Sequence, residues 1–246
     1  MTVVRWDETN RERLSELLPE AVVVVPTGAT EQHGPHLPTG TDQFMAQTIV
    51  ARATAGREFP RPIIIGPTVA YGASDHHLAF GGTLSMSVET FTAVIVDIAR
   101  SVSTCGGKRL VFINGHGGNQ GALTSAAATA SNHFGMAVAW ANYWDLIPAA
   151  AESEPPRPQI AGHAGGFETS LILAIRPELV AERGHRELPN APVWPPKFVV
   201  QTPKFWQAIN GHTDTPEHAT GEVGELWIQG ISDTLAERLT ELANTM

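Results

Sequence analysis

One loop of the sequence carries several side chains that can bind a metal ion or transfer a proton. The loop reads TEQHGPHLPTGTD, and these side chains are Glu31, Gln32, His33, His36 and Asp42. Proline and glycine recur between them, which excludes a regular helix or a central strand. A Glu-x-His pair with a more distant Asp can supply three ligands from one loop to zinc, manganese or iron. The loop therefore predicts a metal site that uses Glu31, His33 and Asp42.

A histidine from a second loop extends this predicted site. His116 lies in NGHGGN, directly after an apolar run, and offers a fourth ligand. An aspartate can place one oxygen on each of two ions, so Asp42 is suited to bridge a pair of metals roughly 3.5–4 Å apart. Taken singly, each histidine is more simply explained as a surface or hydrogen-bonded residue. Burying these acids and histidines together without a cation would be costly, and this favours two divalent metal ions per chain.

A third segment, HAGGFETS, places His163 and Glu168 ahead of an apolar helical pattern. Such a pair can simply cap a helix, because an acid is favourable near a helix N-terminus. The functional interpretation makes Glu168 a further metal ligand and His163 a proton carrier. Templates of other enzymes are absent, since the sequence has no HExxH, no GxSxG and no phosphate-binding loop.

These loops must be positioned by an alternation of strands and helices. Predicted buried strands are 21–26, 62–66, 109–115 and 137–143, and predicted helices are 42–57, 88–105, 119–134, 166–175 and 222–243. Such alternation is typical of parallel strands covered on both faces. We therefore expect an α/β fold, a single-domain three-layer α/β/α sandwich with a mostly parallel sheet, over residues 1–246. Sites in such sheets form beyond the carboxyl ends of the strands, so the polar loops should converge on one edge.

Composition limits the classes of protein to which the chain can belong. Hydrophobic residues make up 42% and charged residues 17% of the 246 residues, which suits a globular domain with a sizeable core. The formal net charge of -9 argues against nucleic acid as a partner. Neither a signal segment nor a membrane span is recognisable, so we expect no membrane partner and a cytoplasmic location. The single cysteine, Cys105, is expected to be a buried thiol without a catalytic role.

Four segments of the sequence together resemble the creatininase (creatinine amidohydrolase) family. In chain order they are TEQHGPHLPTGTD, NGHGGN, YWD and HAGGFETS. The resemblance implies an α/β fold with a two-metal hydrolase site, usually in a hexamer. It implies that Glu31, Asp42 and His116 hold one ion. It also implies that His33 and Asp42 hold the other ion, with Asp42 as the bridge.

The same resemblance implies hydrolysis of an amide carbon–nitrogen bond by a metal-activated water. His163, with His77 as the second candidate, would hand a proton to the departing nitrogen, and Glu168 completes the catalytic candidates. The substrate-binding candidates are Ser74, Gly117, Tyr143 and Trp144. The family includes creatinine hydrolases, a deformylase of deazaflavin and flavin precursor synthesis, and a peptidase that matures mycofactocin. Two other classes stay open: metal-assisted ring opening or isomerisation of a non-amide substrate, and a degenerate assembly subunit.

Departures from the creatinine hydrolases predict a different substrate. Those enzymes have a glutamate two residues after the metal-binding histidine, in NGHYEN, where this chain has Gly118. Glu168 is then expected to supply the missing carboxylate. A tryptophan and an acid that enclose the flat substrate are also absent, because Gly162 directly precedes His163. We expect creatinine to be a poor substrate, and a less flat small-molecule or short-peptide amide to be the natural one.

The proline-rich region 188–216 predicts how the chain assembles. Its four large apolar side chains are Trp194, Phe198, Phe205 and Trp206. A loop of a monomer rarely exposes so much apolar surface. We therefore expect a closed homo-oligomer, a hexamer by analogy with the family.

Overall fold

A five-stranded parallel sheet lies at the centre of the molecule. In the computed structural model, which describes residues 2–148, 160–183, 194–197, 200, 202 and 204–246, the strands are β1 (Val3–Arg5), β2 (Val22–Thr27), β3 (Ile63–Ile65), β4 (Arg109–Asn114) and β5 (Ala137–Asn142). The helices are α1 (Arg11–Leu17), α2 (Thr41–Thr54), α3 (Val88–Thr104), α4 (Gln120–Phe134), α5 (Gly166–Ile175), α6 (Phe205–Ala208) and α7 (Gly221–Thr245). The strand order is β1-β3-β2-β4-β5, and every pairing is parallel.

Three neighbouring strands end at the same level of the sheet. Thr27 of β2 is the register partner of Asn114 of β4, which in turn pairs with Asn142 of β5. Strands β2 and β4 are buried along their whole length, because helices cover both faces of a parallel sheet. The loops that leave these three strands therefore start side by side.

Alternate residues of the strands pack into two separate cores. Val22 and Val24 pack with α2, α5 and α7, whereas Val23 and Val25 pack with α1, α3 and α4. This division follows from the two-residue period of a strand. The helices form one layer on each face of the sheet, so the predicted α/β/α sandwich with a parallel sheet is confirmed.

Two elements at the start of the chain fall outside the prediction. Strand β1 has three residues, and α1 has seven, of which only Leu14 and Leu17 are buried. Neither is long enough to show a hydrophobic period. The prediction for Cys105 is wrong, because the residue is exposed in the turn that follows α3.

A close approach of two helices sets the position of α5. A Cβ atom on Gly224 of α7 would lie 1.9 Å from the carbonyl oxygen of Ser170 in α5, so only glycine permits this contact. Glu168 lies in the first turn of α5. The contact between α5 and α7 therefore determines where the Glu168 carboxylate can reach.

The extent of the domain stays a prediction, because residues 1–246 include segments outside the described ranges. Within those ranges, no helix combines the length and the apolar character that crossing a membrane requires.

Candidate metal centre

A cavity of about 600 Å³ opens at the carboxyl end of the sheet. Its lining comes from the loop after β2, from short 3-10 turns at Asp75–Phe80 and Gly117–Asn119, and from the start of α5. The cavity floor combines Glu31, Asp42, His77, His116, His163 and Glu168. Loops from separate strands thus converge on one edge of the sheet, in agreement with the sequence analysis.

The two carboxylate oxygens of Asp42 face different histidines. Asp42 Oδ1 lies 3.1 Å from His33 Nε2, and Oδ2 lies 3.2 Å from His116 Nδ1. His116 Nδ1 is also 3.3 Å from Glu31 Oε1, and His33 Nε2 is 3.7 Å from Glu168 Oε2. Four groups of three possible ligand atoms lie within 4.8 Å of one another among the described residues, and Asp42 belongs to two of them, with Glu31 and His116 and with His33 and Glu168.

Several carboxylate oxygens of this cluster are buried without a hydrogen bond. Both oxygens of Glu31 and the Oδ2 atom of Asp42 have no hydrogen-bond partner among the described residues. Buried carboxylates without partners are expensive. A divalent cation held by carboxylate oxygens and imidazole nitrogens would compensate them, because this donor set suits zinc, manganese and iron.

Two histidines are oriented so that the nitrogen facing the acids can bind a cation. His116 Nε2 lies 3.2 Å from the carbonyl oxygen of Ala73, and His33 Nδ1 lies 3.1 Å from that of Glu31. A carbonyl oxygen can only accept, so these nitrogens carry the proton and donate it. The opposite ring nitrogens, His116 Nδ1 and His33 Nε2, are then the ones available to a metal.

The carboxylates favour positive charge on the histidines that face them. Burial lowers the pKa of His116, but the nearby carboxylates of Glu31 and Asp42 outweigh it and raise that pKa to about 10. Burial likewise opposes the charge on His33, and Asp42 with Glu168 raises the pKa of His33 well above its usual value. A proton therefore occupies the place that a metal ion would take, and metal binding should release protons.

Gly118 is a steric requirement of the site. A Cβ atom at Gly118 would lie 2.3 Å from the carbonyl oxygen of Ala73 and 2.5 Å from His116 Nε2. A glutamate therefore cannot replace Gly118 without displacing His116. The structure instead brings Glu168 to His33, and the backbone N–H of Ala164 donates to Glu168 Oε2 over 2.6 Å.

Two further histidines lie beside this cluster and are neutral. Burial lowers the pKa of His77 to about 3, and burial together with the neighbouring His33 lowers the pKa of His163 well below its usual value. Their rings stack with centroids 4.2 Å apart. His163 Nδ1 and His77 Nε2 each lie 3.5 Å from Glu31 Oε1.

The predicted substrate-binding residues divide into two groups. Gly117 and Trp144 line the cavity. Tyr143 is buried in the core, and its hydroxyl donates to Met45 Sδ. Ser74 is also fully buried, with its hydroxyl 3.2 Å from His116 Nε2. The substrate-binding roles of these four residues stay predictions.

The structure adds residues that the sequence analysis did not assign to the site. Trp206 of α6 contacts the rings of His77 and His163, with centroids 4.5 and 5.3 Å away. Phe205 and Trp206 are partly buried and line the cavity. Trp194 is exposed, and Phe198 lies outside the described residues. In the sequence, Phe198, Phe205 and Trp206 follow a proline-rich stretch at close spacing. This spacing was the only sequence signal for an aromatic contribution to the cavity.

Two polar residues of the opening loop have other roles. His36 Nε2 lies 2.8 Å from the Thr169 hydroxyl, which ties the loop to α5. Gln32 lies between His77 and His163 and contacts both through its amide nitrogen. Its position between Glu31 and His33 was the only sequence signal for this contact.

Comparison with known proteins gives a consistent family assignment. Residues 7–239 match the family model Creatininase, described as creatinine amidohydrolase. The chain is 38% identical over 178 residues to the mycofactocin precursor peptide peptidase of Mycobacterium tuberculosis (strain CDC 1551 / Oshkosh), which covers 70% of this chain and 65% of that relative. It is 30% identical over 238 residues to the creatinine amidohydrolase of Pseudomonas putida, covering 89% and 90% of the two chains. A solved mutant creatininase of Zn-Zn type matches with a TM-score of 0.82 and 27% identity over 98% of both chains.

Proposed function

The chain belongs to the creatininase family, and from this premise we propose that it is a metal-dependent hydrolase that cleaves an amide carbon–nitrogen bond with water. The observation that carries the proposal is that both oxygens of Glu31 and Oδ2 of Asp42 are buried in the cavity lining without a hydrogen-bond partner among the described residues. Without an ion, protons held on His33 and His116 would have to balance these charges, and a divalent cation would replace those protons.

The proposed centre holds two divalent ions, which are zinc, manganese or iron. Glu31, Asp42 and His116 would hold one, and His33, Asp42 and Glu168 the other, because these are the groups whose ligand atoms converge. When bound, such ions supply Lewis acidity, which lowers the pKa of water and polarises a carbonyl oxygen. The role of Asp42 as the shared ligand follows from its two oxygens, which face different histidines.

His163 is the proposed proton carrier of the reaction. Its Nε2 atom lies 2.9 Å from the backbone oxygen of Gln32. That oxygen can only accept, so Nε2 carries the proton and Nδ1 is bare. Nδ1 faces the cavity floor, 3.5 Å from Glu31 Oε1. From there it can take a proton from the attacking water and later give it to the departing nitrogen.

The proposed substrate is an amide larger than creatinine, with a short peptide as the first candidate. The cavity volume of about 600 Å³ falls in the range of pockets that hold drug-sized ligands. The apolar side chains that line the cavity include Met86, Val88, Phe205 and Trp206. The name of the mycobacterial relative, a precursor peptide peptidase, points in the same direction.

Metal analysis combined with a substrate panel tests this function. We expect about two divalent ions per chain, and loss of activity on chelation that returns with added metal. Asp42→Asn should lose activity and metal while the fold persists, whereas Asp97→Asn, at an exposed position of α3, should change neither. Full activity without metal would contradict the proposal.

The panel should contain creatinine, other cyclic amides, formamides and short peptides, with product analysis for each substrate. We expect creatinine to be a poor substrate. A creatinine kcat/KM within about tenfold of the best amide, a gap of roughly 1.4 kcal/mol, would contradict the proposed substrate class. Products that retain the carbon–nitrogen bond would instead indicate ring opening or isomerisation.

We also propose a homo-oligomer, a hexamer by analogy with the family. Exposed apolar side chains that include Trp194 and Leu226 support an interface. The cytoplasmic location stays a prediction.

A further inference from the structure

The side chain of Gln32 lies between the two neutral histidines, and its amide nitrogen is within hydrogen-bond distance of both rings. Its Oε1 atom accepts the backbone N–H of Gly34 over 2.9 Å, which fixes the orientation of the amide. Its Nε2 atom must then donate, and it has three neighbours at hydrogen-bond distance. They are His77 Nδ1 at 2.9 Å, His163 Nε2 at 2.9 Å and the carbonyl oxygen of Gly211 at 3.0 Å.

One placement of the protons satisfies every contact except that between Gln32 Nε2 and His163 Nε2, which are then both donors. His163 Nε2 already donates its proton to the backbone oxygen of Gln32, so it cannot also accept one. The two protons of Gln32 Nε2 therefore go to Gly211 and to His77 Nδ1. Each acceptor then receives one donor, as buried polar groups require. A proton on His77 Nδ1 would place a second N–H group against Gln32 Nε2 at 2.9 Å and would leave a proton of Gln32 without an acceptor.

This placement determines what the two rings present to the cavity floor. His77 Nδ1 accepts, so its proton is on Nε2. That nitrogen lies 3.5 Å from Glu31 Oε1 and is buried without a hydrogen-bond partner in the described part of the chain. His163 presents its bare Nδ1 at the same distance from Glu31 Oε1. His77 thus offers a hydrogen-bond donor, and His163 offers an acceptor, beside Glu31 Oε1.

The same placement argues against one further group of possible metal ligands. Glu31, His76 and His77 also converge within 4.8 Å. A metal requires a bare nitrogen, and His77 Nε2 carries a proton. This third group is therefore not suited to hold an ion as long as Gln32 keeps its contact with His77.

We propose that Gln32 is a positioning residue that holds His77 as a neutral Nε2–H donor, and that this N–H stabilises the oxygen of the amide under attack. The proposal rests on the proposed hydrolase function. As the water oxygen bonds to the carbonyl carbon, the carbonyl electron pair moves to oxygen, which accepts a hydrogen bond from His77. The water proton moves to His163 Nδ1. When the carbon–nitrogen bond breaks, nitrogen keeps its electron pair and takes that proton, and His77 retains its own throughout.

The tautomers can be measured without any substrate. ¹⁵N NMR of histidine-labelled protein, loaded with zinc and also metal-free, distinguishes protonated from bare ring nitrogens, and His77→Gln and His163→Asn assign the signals. We expect both His77 and His163 to carry their proton on Nε2. A proton on Nδ1 of His77 in the unaltered protein overturns the proposal. Because this readout needs no turnover, its failure is separable from failure of the hydrolase function.

Substitution of Gln32 tests its positioning role directly. In Gln32→Glu, the introduced carboxylate still accepts from Gly34 but can no longer donate, so we expect Nδ1 of His77 to gain a proton. Gln32→Met, which is uncharged and removes the donor, should free His77 to mix both tautomers, and it replaces the first variant if that one does not fold. Gln47→Glu, at an exposed position of α2, is the matched control and should leave the signals unchanged. Unchanged His77 signals in a folded Gln32 variant overturn the proposal.

Kinetics tests the role of the His77 N–H. His77→Ala should lower kcat by about 10²-fold, as for a lost donor to a developing oxyanion, with a smaller change in KM. His77→Gln supplies an N–H at similar reach and should recover at least about tenfold of that loss. Equal kcat values for His77→Ala and His77→Gln would refute the donor role.

Discussion

Asp42 is the side chain through which the two halves of the candidate centre are joined. It stands in the first turn of α2, where the partial positive charge of the helix N-terminus favours a carboxylate. His33 lies on one of its oxygens and His116 on the other. Chemistry at this scale depends on which nitrogen of each imidazole is bare, and backbone carbonyls decide this for His33, His116 and His163.

At the residue scale, His163→Ala separates proton transfer from metal binding. We expect kcat to fall by roughly 10²-fold or more, because a group that carries a proton is lost. Metal content should stay close to that of the unaltered protein, since neither proposed ligand group contains His163. Elemental analysis and steady-state kinetics on the same preparation measure both quantities.

An exposed histidine provides the control for this change. His133→Ala, on the surface of α4, should alter neither kcat nor metal content. If His163→Ala loses an ion, then His163 is a ligand and the proposed role is wrong.

Among the elements, the pair α5 and α7 connects packing to chemistry. Gly224 allows the helices to touch through the backbone of Ser170, and Glu168 is carried on the same helix, α5, as Ser170. The segment that follows α6 is tied to His163, because the backbone N–H of Thr213 donates to the His163 carbonyl over 3.0 Å. Helix packing and a returning segment thus hold the wall of the cavity that strands alone cannot supply.

Gly224→Ala should separate α5 from α7 and lower the free energy of unfolding by about 1–3 kcal/mol, as overpacking does. Because Glu168 shifts with α5, we also expect weaker retention of one ion. Urea unfolding and metal analysis check these outcomes. Gly121→Ala, in α4, meets no atom within 4 Å and should stabilise the protein by up to about 1 kcal/mol. Equal stability of the two variants would contradict the packing argument.

Helix α6 supplies the aromatic wall of the cavity through Trp206. We expect Trp206→Ala to raise KM for the best amide substrate roughly tenfold, because aromatic contact with the substrate is lost, while metal content is unchanged. Trp194→Ala, which removes an exposed tryptophan outside the cavity lining, should leave KM as it was. An unchanged KM in Trp206→Ala would show that α6 does not contact the substrate.

At the scale of the whole molecule, a single chain leaves several apolar side chains of segment 78–88 exposed to solvent. Leu78, Leu84 and Val88 are each more than half exposed, and Val88 also lines the cavity. Exposed apolar side chains that cluster around an opening are typical of an interface. Assembly would then also narrow the entrance through which a substrate passes.

Light scattering at working concentration tests the proposed assembly. We expect the mass of a closed homo-oligomer, with six chains as the first candidate. Leu84→Glu should shift the mass towards smaller species, because it buries a charge at the interface. Leu226→Glu, at a second exposed position in α7, should shift the mass in the same direction. A monomeric mass for the unaltered protein would contradict the proposal.

The sequence alone determined the sheet, its helical layers and the cluster of acids and histidines in the loops that follow its strands. The reason is that periodicity and strand ends are local properties, and parallel strands bring their carboxyl ends to one edge. Only the tertiary structure decided that Ser74 and Tyr143 are fully buried and that Trp206 lines the cavity. The contact of Gln32 with Gly211 was likewise decided by packing between segments 179 positions apart in the chain, which no local pattern records.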